Sequence, residues 1–143
     1  MTLVQAMQPG PPVIAPDATL ASAARSMASN HISLLPVVAR GRLLGTLSAF
    51  DLIRCSIAGG LGPDQRTVRA AMRSDPPSCR AEDTVVQVRQ QMRELRVQTL
   101  PVIEADGALV GLVDLFDIED AADAGAAAGP EPDMVKRVRG EAV

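Results

Sequence analysis

The sequence predicts an α+β fold made of two β-α-β-β-α repeats that pack together about a pseudo-two-fold axis. The chain has 143 residues, of which 47% are hydrophobic and 22% charged, and this suits one compact domain with a substantial core. Residues 3–54 align with residues 68–120, with one extra residue in a turn of the second copy. Within each copy the hydrophobic periodicity changes between strand and helix in the same order, as expected for an internal repeat.

The repeat is defined by residues that keep the same order in both copies. The matched pairs are Met7 and Met72, Pro11-Pro12 and Pro76-Pro77, Thr19 and Thr84, Met27 and Met92, Pro36-Val37 and Pro101-Val102, Gly45 and Gly111, and Phe50-Asp51 and Phe116-Asp117. One such half is too small to bury both the sheet and its helices, so the two halves are expected to pack face to face.

The repeats set the predicted domain organisation. The first repeat covers residues 1–58, a linker rich in glycine covers 59–67, and the second repeat covers 68–123. The remaining residues, 124–143, have no periodic apolar stripe and are predicted to form a mostly disordered tail.

Each repeat begins with a Pro-Pro turn, a short extended segment and an amphipathic helix. Thr84 followed by Gln87 has the spacing of a capping box, and Asp17 and Thr19 supply polar caps before the first helix. The apolar stripes of the two helices have helical spacing and consist of Leu20, Ala23, Ala24, Met27, Val85, Val88 and Met92.

A hairpin and a final helix complete each repeat. The hairpin is predicted from pairs of short apolar runs that flank a turn containing glycine. These runs are Leu34–Val38 and Leu43–Leu47 in the first copy, and Leu100–Ile103 and Leu109–Val113 in the second. The final helices are predicted to start near Ser48 and Asp114.

The composition argues against several classes of function. The net charge is −3 and the aromatic residues are Phe50 and Phe116, so binding of nucleic acid or of an anionic membrane surface is not expected. No apolar run approaches the roughly 18 residues of a membrane span. Cys55 and Cys79 lie far apart outside any Cys-x-x-Cys motif, which favours a reducing cytoplasm.

Enzymatic and metal-dependent functions are also not expected. His31 is the single histidine of the chain, so neither a histidine-based triad nor a site with paired histidines is predicted. The position of His31 at the end of the first helix favours a capping or surface role. Glycine-rich nucleotide fingerprints are missing as well, since Gly59-Gly60-Leu61-Gly62 is not followed by a Gly-Lys-Ser helix.

The segments that end each repeat, Gly45–Asp51 and Gly111–Asp117, carry the most specific motif. In each, a strand ends at a small polar residue, a helix begins, and an Asp follows three positions later. The pattern has two explanations. It can be simple helix capping, or the open helix end can bind an anion while the Asp accepts hydrogen bonds from a ribose.

The whole pattern resembles a pair of cystathionine-β-synthase (CBS) domains, the tandem known as a Bateman module. The repeated scheme is h-x-x-x-M, a Pro turn, an amphipathic helix with Met, h-P-V-V, and G-h-h-[ST]-x-x-D, and it covers about residues 3–120. The resemblance implies a disc with two clefts that bind adenosine-containing ligands such as AMP, ADP, ATP, S-adenosylmethionine or NAD. It also implies a regulatory protein with no catalytic activity and no required cofactor.

The resemblance further implies which residues form the clefts, since each cleft combines the end of one repeat with the first strand and the pre-Pro-Val residues of the other. Cleft A would consist of Ser48, Asp51, Pro77, Ser78, Cys79, Val97, Gln98 and Thr99. Cleft B would consist of Asp114, Asp117, Pro12, Val13, Ile14, Ile32, Ser33 and Leu34. In cleft A, Asp51 would accept from ribose hydroxyls, Ser48 would donate to a phosphate, and Gln98 would bind the purine edge.

The two clefts are predicted to differ, because Asp114 stands where the pattern has Ser or Thr. A carboxylate beside a phosphate is a like-charge contact, so a phosphorylated nucleotide is expected in cleft A. Cleft B is expected to be empty, structural, or selective for a ligand without phosphate. The candidate phosphate partners are Arg54, Arg40, Arg42, Arg93 and Arg96.

Two functions follow from these expectations. The leading one is a stand-alone module that binds an adenosine-containing ligand and signals to an unknown protein partner. The alternative is a structural or interaction module that mediates homodimerisation or partner docking without a ligand. In either case a homodimer is expected from the resemblance, with Leu52, Ile53 and Ile118 on the final helices as its apolar contacts.

Overall fold

The computed structural model describes residues 2–57, 60, 62 and 64–126. The helices are α1 (Leu3–Ala6), α2 (Leu20–Asn30), α3 (Ala49–Ser56), α4 (Val68–Ala71), α5 (Val85–Leu95) and α6 (Leu115–Ala126). The strands are β1 (Gln8–Pro9), β2 (Leu34–Ala39), β3 (Arg42–Ser48), β4 (Arg73–Ser74), β5 (Cys79–Arg80), β6 (Thr99–Ile103) and β7 (Leu109–Asp114). Helix α6 thus continues past the predicted start of the tail at 124, and residues 127–143 of that tail lie outside the described residues.

The predicted α+β architecture of two similar repeats is confirmed. Helices α2 and α5 begin at Thr19 and Thr84, whose side chains accept hydrogen bonds from the backbone N–H groups three residues on. The hairpins β2–β3 and β6–β7 are antiparallel, and both bulge at the equivalent place, after Val37 and after Val102. Two copies of one sequence pattern therefore fold into two copies of one structure.

The strand that follows the Pro-Pro turn is short in both repeats. In the second repeat it is β5, which runs parallel to β6 and pairs Cys79 with Val102. In the first repeat it is reduced to one parallel bridge between Ile14 and Val37. The backbone N–H of Ile14 donates to the carbonyl oxygen of Pro36, and that of Val38 donates to the carbonyl of Ile14.

Each repeat begins with a short helix and a short strand, here called its lead-in segment: α1 and β1 in the first repeat, α4 and β4 in the second. Each of the two sheets contains the strand of the other repeat's lead-in segment. The first sheet has the order β2-β3-β4, and the second has the order β1-β7-β6-β5. Strand β4 comes from the start of the second repeat but pairs with β3, and β1 comes from the start of the first repeat but pairs with β7. The two lead-in segments are therefore exchanged between the sheets.

The hydrophobic cores follow the same exchange. Leu3 of α1 is buried in the core formed by the second repeat, whereas Val68 and Ala71 of α4 are buried in the core formed by the first. The second repeat itself contributes to its own core the residues Val88, Met92, Leu100, Val102, Val113 and Ile118, among others. Because Ile118 is fully buried there, its predicted place in an exposed dimer contact is wrong.

Two glycines allow the exchanged strands to come close. A Cβ atom on Gly45 would lie 2.5 Å from the carbonyl oxygen of Arg73 in β4. A Cβ on Gly111 would lie 2.8 Å from the carbonyl oxygen of Gln8 in β1. The sulfur atoms of Met72 and Met7 lie beside the same positions, which explains why Met and Gly recur together in both copies.

The hairpin turns and the linker also join the repeats. The backbone N–H of Leu43 donates to the carbonyl of Gly107, and that of Leu109 donates to the carbonyl of Gly41. These two equivalent hydrogen bonds join the turns of the two hairpins. At the other end of the first repeat, Thr67 forms an antiparallel bridge with Thr19 just before α4.

Candidate functional site

The N-terminus of α3 is held by a reciprocal pair of hydrogen bonds. The backbone N–H of Asp51 donates to the Ser48 hydroxyl at 3.0 Å, and the N–H of Ser48 donates to Oδ2 of Asp51 at 3.2 Å. The other carboxylate oxygen of Asp51 accepts from the Arg54 guanidinium at 3.2 Å. The predicted capping role of this motif is therefore present in the structure.

The N-terminus of α6 is built differently, although it occupies the equivalent place. Oδ1 of Asp114 accepts from the backbone N–H of Phe116 at 2.8 Å, so a carboxylate replaces the hydroxyl as the cap. Within the described part of the chain, the Asp117 carboxylate makes no hydrogen bond or ion pair. Partial burial, together with the neighbouring charges of Asp114 and Asp120, raises the pKa of Asp117 above its ordinary value of 3.8.

A cavity of about 180 Å³ lies between the repeats at this end of α6. It is formed by the end of α2 and start of β2 from the first repeat, by β6, β7 and α6 from the second, and by the exchanged strand β1. Its lining residues are Gln8, His31, Ile32, Ser33, Leu34, Thr99, Leu112, Asp114 and Asp117.

The cavity brings together five of the residues predicted for cleft B: Asp114, Asp117, Ile32, Ser33 and Leu34. Pro12, Val13 and Ile14 are not among its lining residues. Ile14 packs instead against the core of the first repeat, because its backbone is paired with β2. Val13 is 45% exposed.

The residues predicted for cleft A occupy the pseudo-symmetric place. Val97, Gln98 and Thr99 follow the end of α5, as Ile32, Ser33 and Leu34 follow the end of α2. The carbonyl oxygens of Gln98 and Ser33 accept from the first residues of α6 and α3, respectively. Thr99, which was predicted for cleft A, lines the cavity beside Asp114 and Asp117.

Three residues that were predicted to contact the ligand of cleft A, Pro77, Ser78 and Cys79, are partly or fully buried in the structure. Cys79 is 2% exposed, and its Sγ lies 3.6 Å from the Pro101 carbonyl oxygen. Burial and the nearby charge of Asp83 raise the pKa of the Cys79 thiol to about 12, so it stays protonated at neutral pH. The carbonyl of Ser78 accepts from the side chain of Gln91, and Pro77 is half-buried.

Four residues of the cavity were outside the set predicted for cleft B: Gln8, His31, Leu112 and Thr99, of which Thr99 was predicted for cleft A. Gln8 and His31 have arginine counterparts in the other repeat. Strand pairing places Gln8 opposite Leu112 and Arg73 opposite Thr46. His31 and Arg96 are the left-handed C-caps of α2 and α5, with φ of 54° and 57°.

Four of the five candidate phosphate partners form ion pairs or lie at the hairpin turns. Arg93 pairs with Glu119 at 2.6 Å across α5 and α6, and Arg54 pairs with Asp51. Arg42 lies against Gly107 at the hairpin turns, and Arg40 has a left-handed backbone in the β2–β3 turn. Of the five arginines proposed from the sequence, Arg96 is the one whose position corresponds to a lining residue of the cavity.

The described residues contain no group of three or more His, Cys, Asp or Glu side chains arranged to hold a metal ion. Among the same residues, no helix has both the length and the apolar character needed to cross a bilayer.

The fold is that of two tandem repeats with a cavity between them. The CBS domain family matches residues 3–58 and again residues 68–123. The chain therefore belongs to the CBS domain family, as a pair of such domains.

Curated relatives and solved structures agree with this assignment. The "Meiotically up-regulated gene 70 protein" of Schizosaccharomyces pombe is 30% identical over 103 residues, which are 72% of this chain and 14% of that protein. Similar curated proteins are also much longer, and the chain spans about a fifth of the "CBS domain-containing protein CBSCBSPB5" of Arabidopsis thaliana.

The structural neighbours are CBS-pair proteins. The structure of CBSX2 in complex with AMP has a TM-score of 0.76 and 23% identity, and covers 87% of this chain and 98% of that one. Hypoxic Response Protein I, described with two coordinated zinc ions, has a TM-score of 0.75 and 28% identity over 83% of this chain and 97% of that one. The CBS domain pair of protein MJ0100, in complex with 5′-methylthioadenosine and S-adenosylmethionine, has a TM-score of 0.71 and 20% identity, and covers 87% of this chain and 98% of that one.

Proposed function

We propose that this CBS pair is a regulatory module that binds a phosphorylated adenosine ligand, of the AMP, ADP or ATP type, in cleft A and signals its presence to a partner protein. The observation that carries the proposal is the polarity of cleft A. The hydroxyl of Ser48 lies at a helix N-terminus, and Arg73 and Arg96 are the repeat counterparts of Gln8 and His31, which line the cavity at the N-terminus of α6.

The side chains of cleft A have free capacity for a ligand. The carboxylate of Asp51 uses one direction on each oxygen for Ser48 and Arg54, and each oxygen can accept a further hydrogen bond from a ribose hydroxyl. The exposed arginines supply donors for phosphate. Adenosine compounds bound to CBSX2 and to the MJ0100 domain pair support the same ligand class here.

The test is calorimetric titration of the purified chain with AMP, ADP, ATP, S-adenosylmethionine and NAD. We expect saturable binding of a phosphorylated ligand, weakened about tenfold or more by Arg73→Gln, because a charge-assisted hydrogen bond is lost. Asp51→Ala should also lose binding, but this substitution removes part of the cap of α3 as well. Arg73→Gln leaves that cap intact and therefore tests binding independently of it. The matched control is Arg25→Gln, which removes an exposed arginine of α2.

The outcome that would contradict the proposal is equally clear. If none of these compounds binds at millimolar concentration, or if Arg73→Gln and Asp51→Ala both leave the affinity unchanged, cleft A is not the site. Co-purified nucleotide gives an independent check at 260 nm, because the chain has no Trp and no Tyr.

A second candidate function, homodimerisation, is favoured by the face formed by α2 and α3. A groove of about 310 Å³ on this face is lined by Ala24, Met27, Ala28, Ile32, Ala49, Leu52 and Ile53. Beside it, Phe50 and Ile57 are 71% and 75% exposed. The equivalent face of the second repeat is charged instead, and carries the Arg93–Glu119 ion pair.

We infer that the occupant of this face is the same face of a second copy. An uncharged apolar surface is best covered by another one, whereas docking on the α5–α6 face would bury the Arg93–Glu119 pair against Ile53. Light scattering should show a dimer for the wild type and a monomer for Ile53→Glu. Val86→Glu changes another exposed apolar residue, on α5, and should remain dimeric. A monomeric wild type at working concentration would remove this function.

The proposal also includes a non-catalytic role in the cytoplasm, with no nucleic acid or membrane as partner. Two buried free cysteines and an overall charge of −3 support it. Turnover of a bound nucleotide, measured by chromatography after long incubation, would contradict the non-catalytic role.

A further inference from the structure

The second lead-in segment, α4 and β4, is tied to the segment that precedes α2. The backbone N–H of Val68 donates to the carbonyl oxygen of Ala18 at 2.8 Å. The backbone N–H of Arg69 donates to the carbonyl oxygen of Pro16 at 2.9 Å, and its guanidinium lies 3.7 Å from the Asp17 carboxylate. These contacts hold α4 in place in addition to the pairing of β4 with β3.

The first lead-in segment, α1 and β1, lacks the matching ties. Leu3 and Val4 are the repeat counterparts of the two residues that anchor α4. Among the residues that the structure describes, neither donates its backbone N–H to the segment that precedes α5. The cap of α1 comes from its own residues instead, because Thr2 and Gln5 exchange a reciprocal pair of hydrogen bonds. Helix α1 can therefore move without breaking its own cap.

The first lead-in segment is held by side-chain burial and by one short strand pairing. Leu3 is buried in the core of the second repeat, and the two residues of β1 pair with β7. Directly after β1, Gly10 is exposed and has a φ of 56°, with open space around it. Because glycine adopts more backbone conformations than other residues, Gly10 is suited to be a hinge.

The same segment forms part of the wall between the repeats. Gln8 of β1 lines the cavity of about 180 Å³ at the start of α6, and it pairs with Leu112 of β7, which lines the cavity too. The wall of this cavity is therefore complete only while β1 is paired.

We propose that the first lead-in segment opens as one unit about Gly10 while the rest of the fold stays closed, and that it is a gate to this cavity. Opening withdraws Leu3 from the core, uncovers the edge of β7 and removes Gln8 from the cavity wall. A short surface element with few hydrogen bonds to the rest of a protein opens at a lower free energy than global unfolding. The second lead-in segment, which has the additional ties, stays closed.

The test is native-state hydrogen exchange of the whole chain, followed by NMR at increasing low concentrations of guanidinium chloride. Met7 and Met72 are matched reporters, because each donates its backbone N–H to the carbonyl oxygen four residues earlier, at 3.0 and 2.8 Å. After correction for intrinsic rates, we expect Met7 to exchange about tenfold faster or more, with little dependence on denaturant. The exchange of Met72 should rise with denaturant, because it requires a larger unfolding.

The amides of β7 report whether the segment opens as one unit. Successive N–H groups of a strand point to opposite neighbours, so one of the Gly111 and Leu112 amides faces β1. This amide should open with the same free energy as Met7.

Variants distinguish opening of the segment from fraying of its helical turn. Leu3→Val shortens the buried anchor and should speed the exchange of Met7 about two- to tenfold, because opening exposes this side chain. Leu3→Ala should speed it further. Val4→Ala changes the exposed neighbour and should leave the exchange of Met7 within about twofold.

Two kinds of result would overturn the inference. Equal exchange free energies and equal denaturant dependence at Met7 and Met72 would show that the first lead-in segment opens only with global unfolding. Fast exchange of Met7 that neither Leu3 variant changes, or that no β7 amide shares, would show fraying of α1 alone. Because no ligand enters the experiment, the inference stands or fails independently of the proposed function.

Discussion

Asp51 and Asp117 show how neighbouring residues set the role of one side chain. The two residues occupy the same position of the repeat, three residues after the start of a helix. Asp51 lies beside Arg54 and a serine cap, so its negative charge is stabilised. Asp117 lies beside Asp114 and Asp120, so burial and repulsion raise its pKa. The same carboxylate therefore stabilises one helix end and has a repulsive environment at the other.

We predict that Asp117→Asn is at least as stable as the wild type at pH 7, by up to about 1 kcal/mol because the site is largely exposed. An acid whose pKa is raised by folding makes the protein less stable as pH rises from the unfolded value of 3.8 through the folded value. The variant lacks this loss, so its advantage should shrink as the pH falls below that range. Thermal unfolding at several pH values measures the difference.

The matched variant, Asp51→Asn, should behave in the opposite way. It removes an ion pair with Arg54 and a favourable charge at a helix N-terminus, which costs about 0.5–1 kcal/mol at neutral pH. A lower stability of Asp117→Asn than of Asp51→Asn at pH 7 would contradict this account.

At the scale of elements, the exchanged strands depend on two residues without side chains. Strand β4 pairs with β3 at Gly45, and β1 pairs with β7 at Gly111. In both places the neighbouring strand passes so close that a methyl group would overlap a backbone carbonyl. The glycine is therefore required for the contact between repeats and not for a turn.

We predict that Gly45→Ala destabilises the protein by about 1–3 kcal/mol, because a backbone segment must shift to admit the methyl group. Chemical denaturation measures this. Gly62→Ala is the control, since a Cβ there would make ordinary contacts, and it should change stability by less than about 0.5 kcal/mol. Equal effects of the two substitutions would show that the close approach is not tight.

Most elements were predictable from the sequence because their signals are local. The capping box of Thr84 and Gln87, the apolar stripes and the hairpins all depend on residues within one turn or one strand pair. The lead-in segments were different. Nothing within residues 3–9 indicates that β1 pairs with the sheet of the second repeat, since that choice depends on tertiary packing.

The cleft residues were predictable only in part, because some follow from local motifs and others depend on tertiary packing. Asp114, Asp117 and residues 32–34 were expected together and line one cavity. Gln8 was not expected, because it reaches the cavity through the exchanged strand. Pro12, Val13 and Ile14 were expected there from the family resemblance, but Ile14 pairs with β2 and packs against the core of the first repeat, and Val13 is exposed.

At the scale of the whole molecule, the exchange of lead-in segments makes each core depend on residues from both repeats. We predict that Leu3→Ala destabilises the protein by about 2–5 kcal/mol, because Leu3 is 2% exposed in the core of the second repeat. Hydrogen exchange should show lost protection in β6 and β7 before β2 and β3.

Val4→Ala is the matched control, because Val4 is the next residue of α1 and is 51% exposed. It should leave the exchange pattern unchanged. If Leu3→Ala instead loosened β2 and β3 first, α1 would belong to the core of its own repeat.

The exchange of lead-in segments also constrains the order in which the chain acquires structure during synthesis. Helix α1 and strand β1 are made well before their partner β7, which follows about a hundred residues later in the chain. The first sheet must likewise wait for β4, which lies beyond the linker. The core of the first repeat is incomplete when that repeat has been made, because it needs Val68 and Ala71 from beyond the linker. We therefore expect the first repeat to reach its full stability only after α4 and β4 have been made.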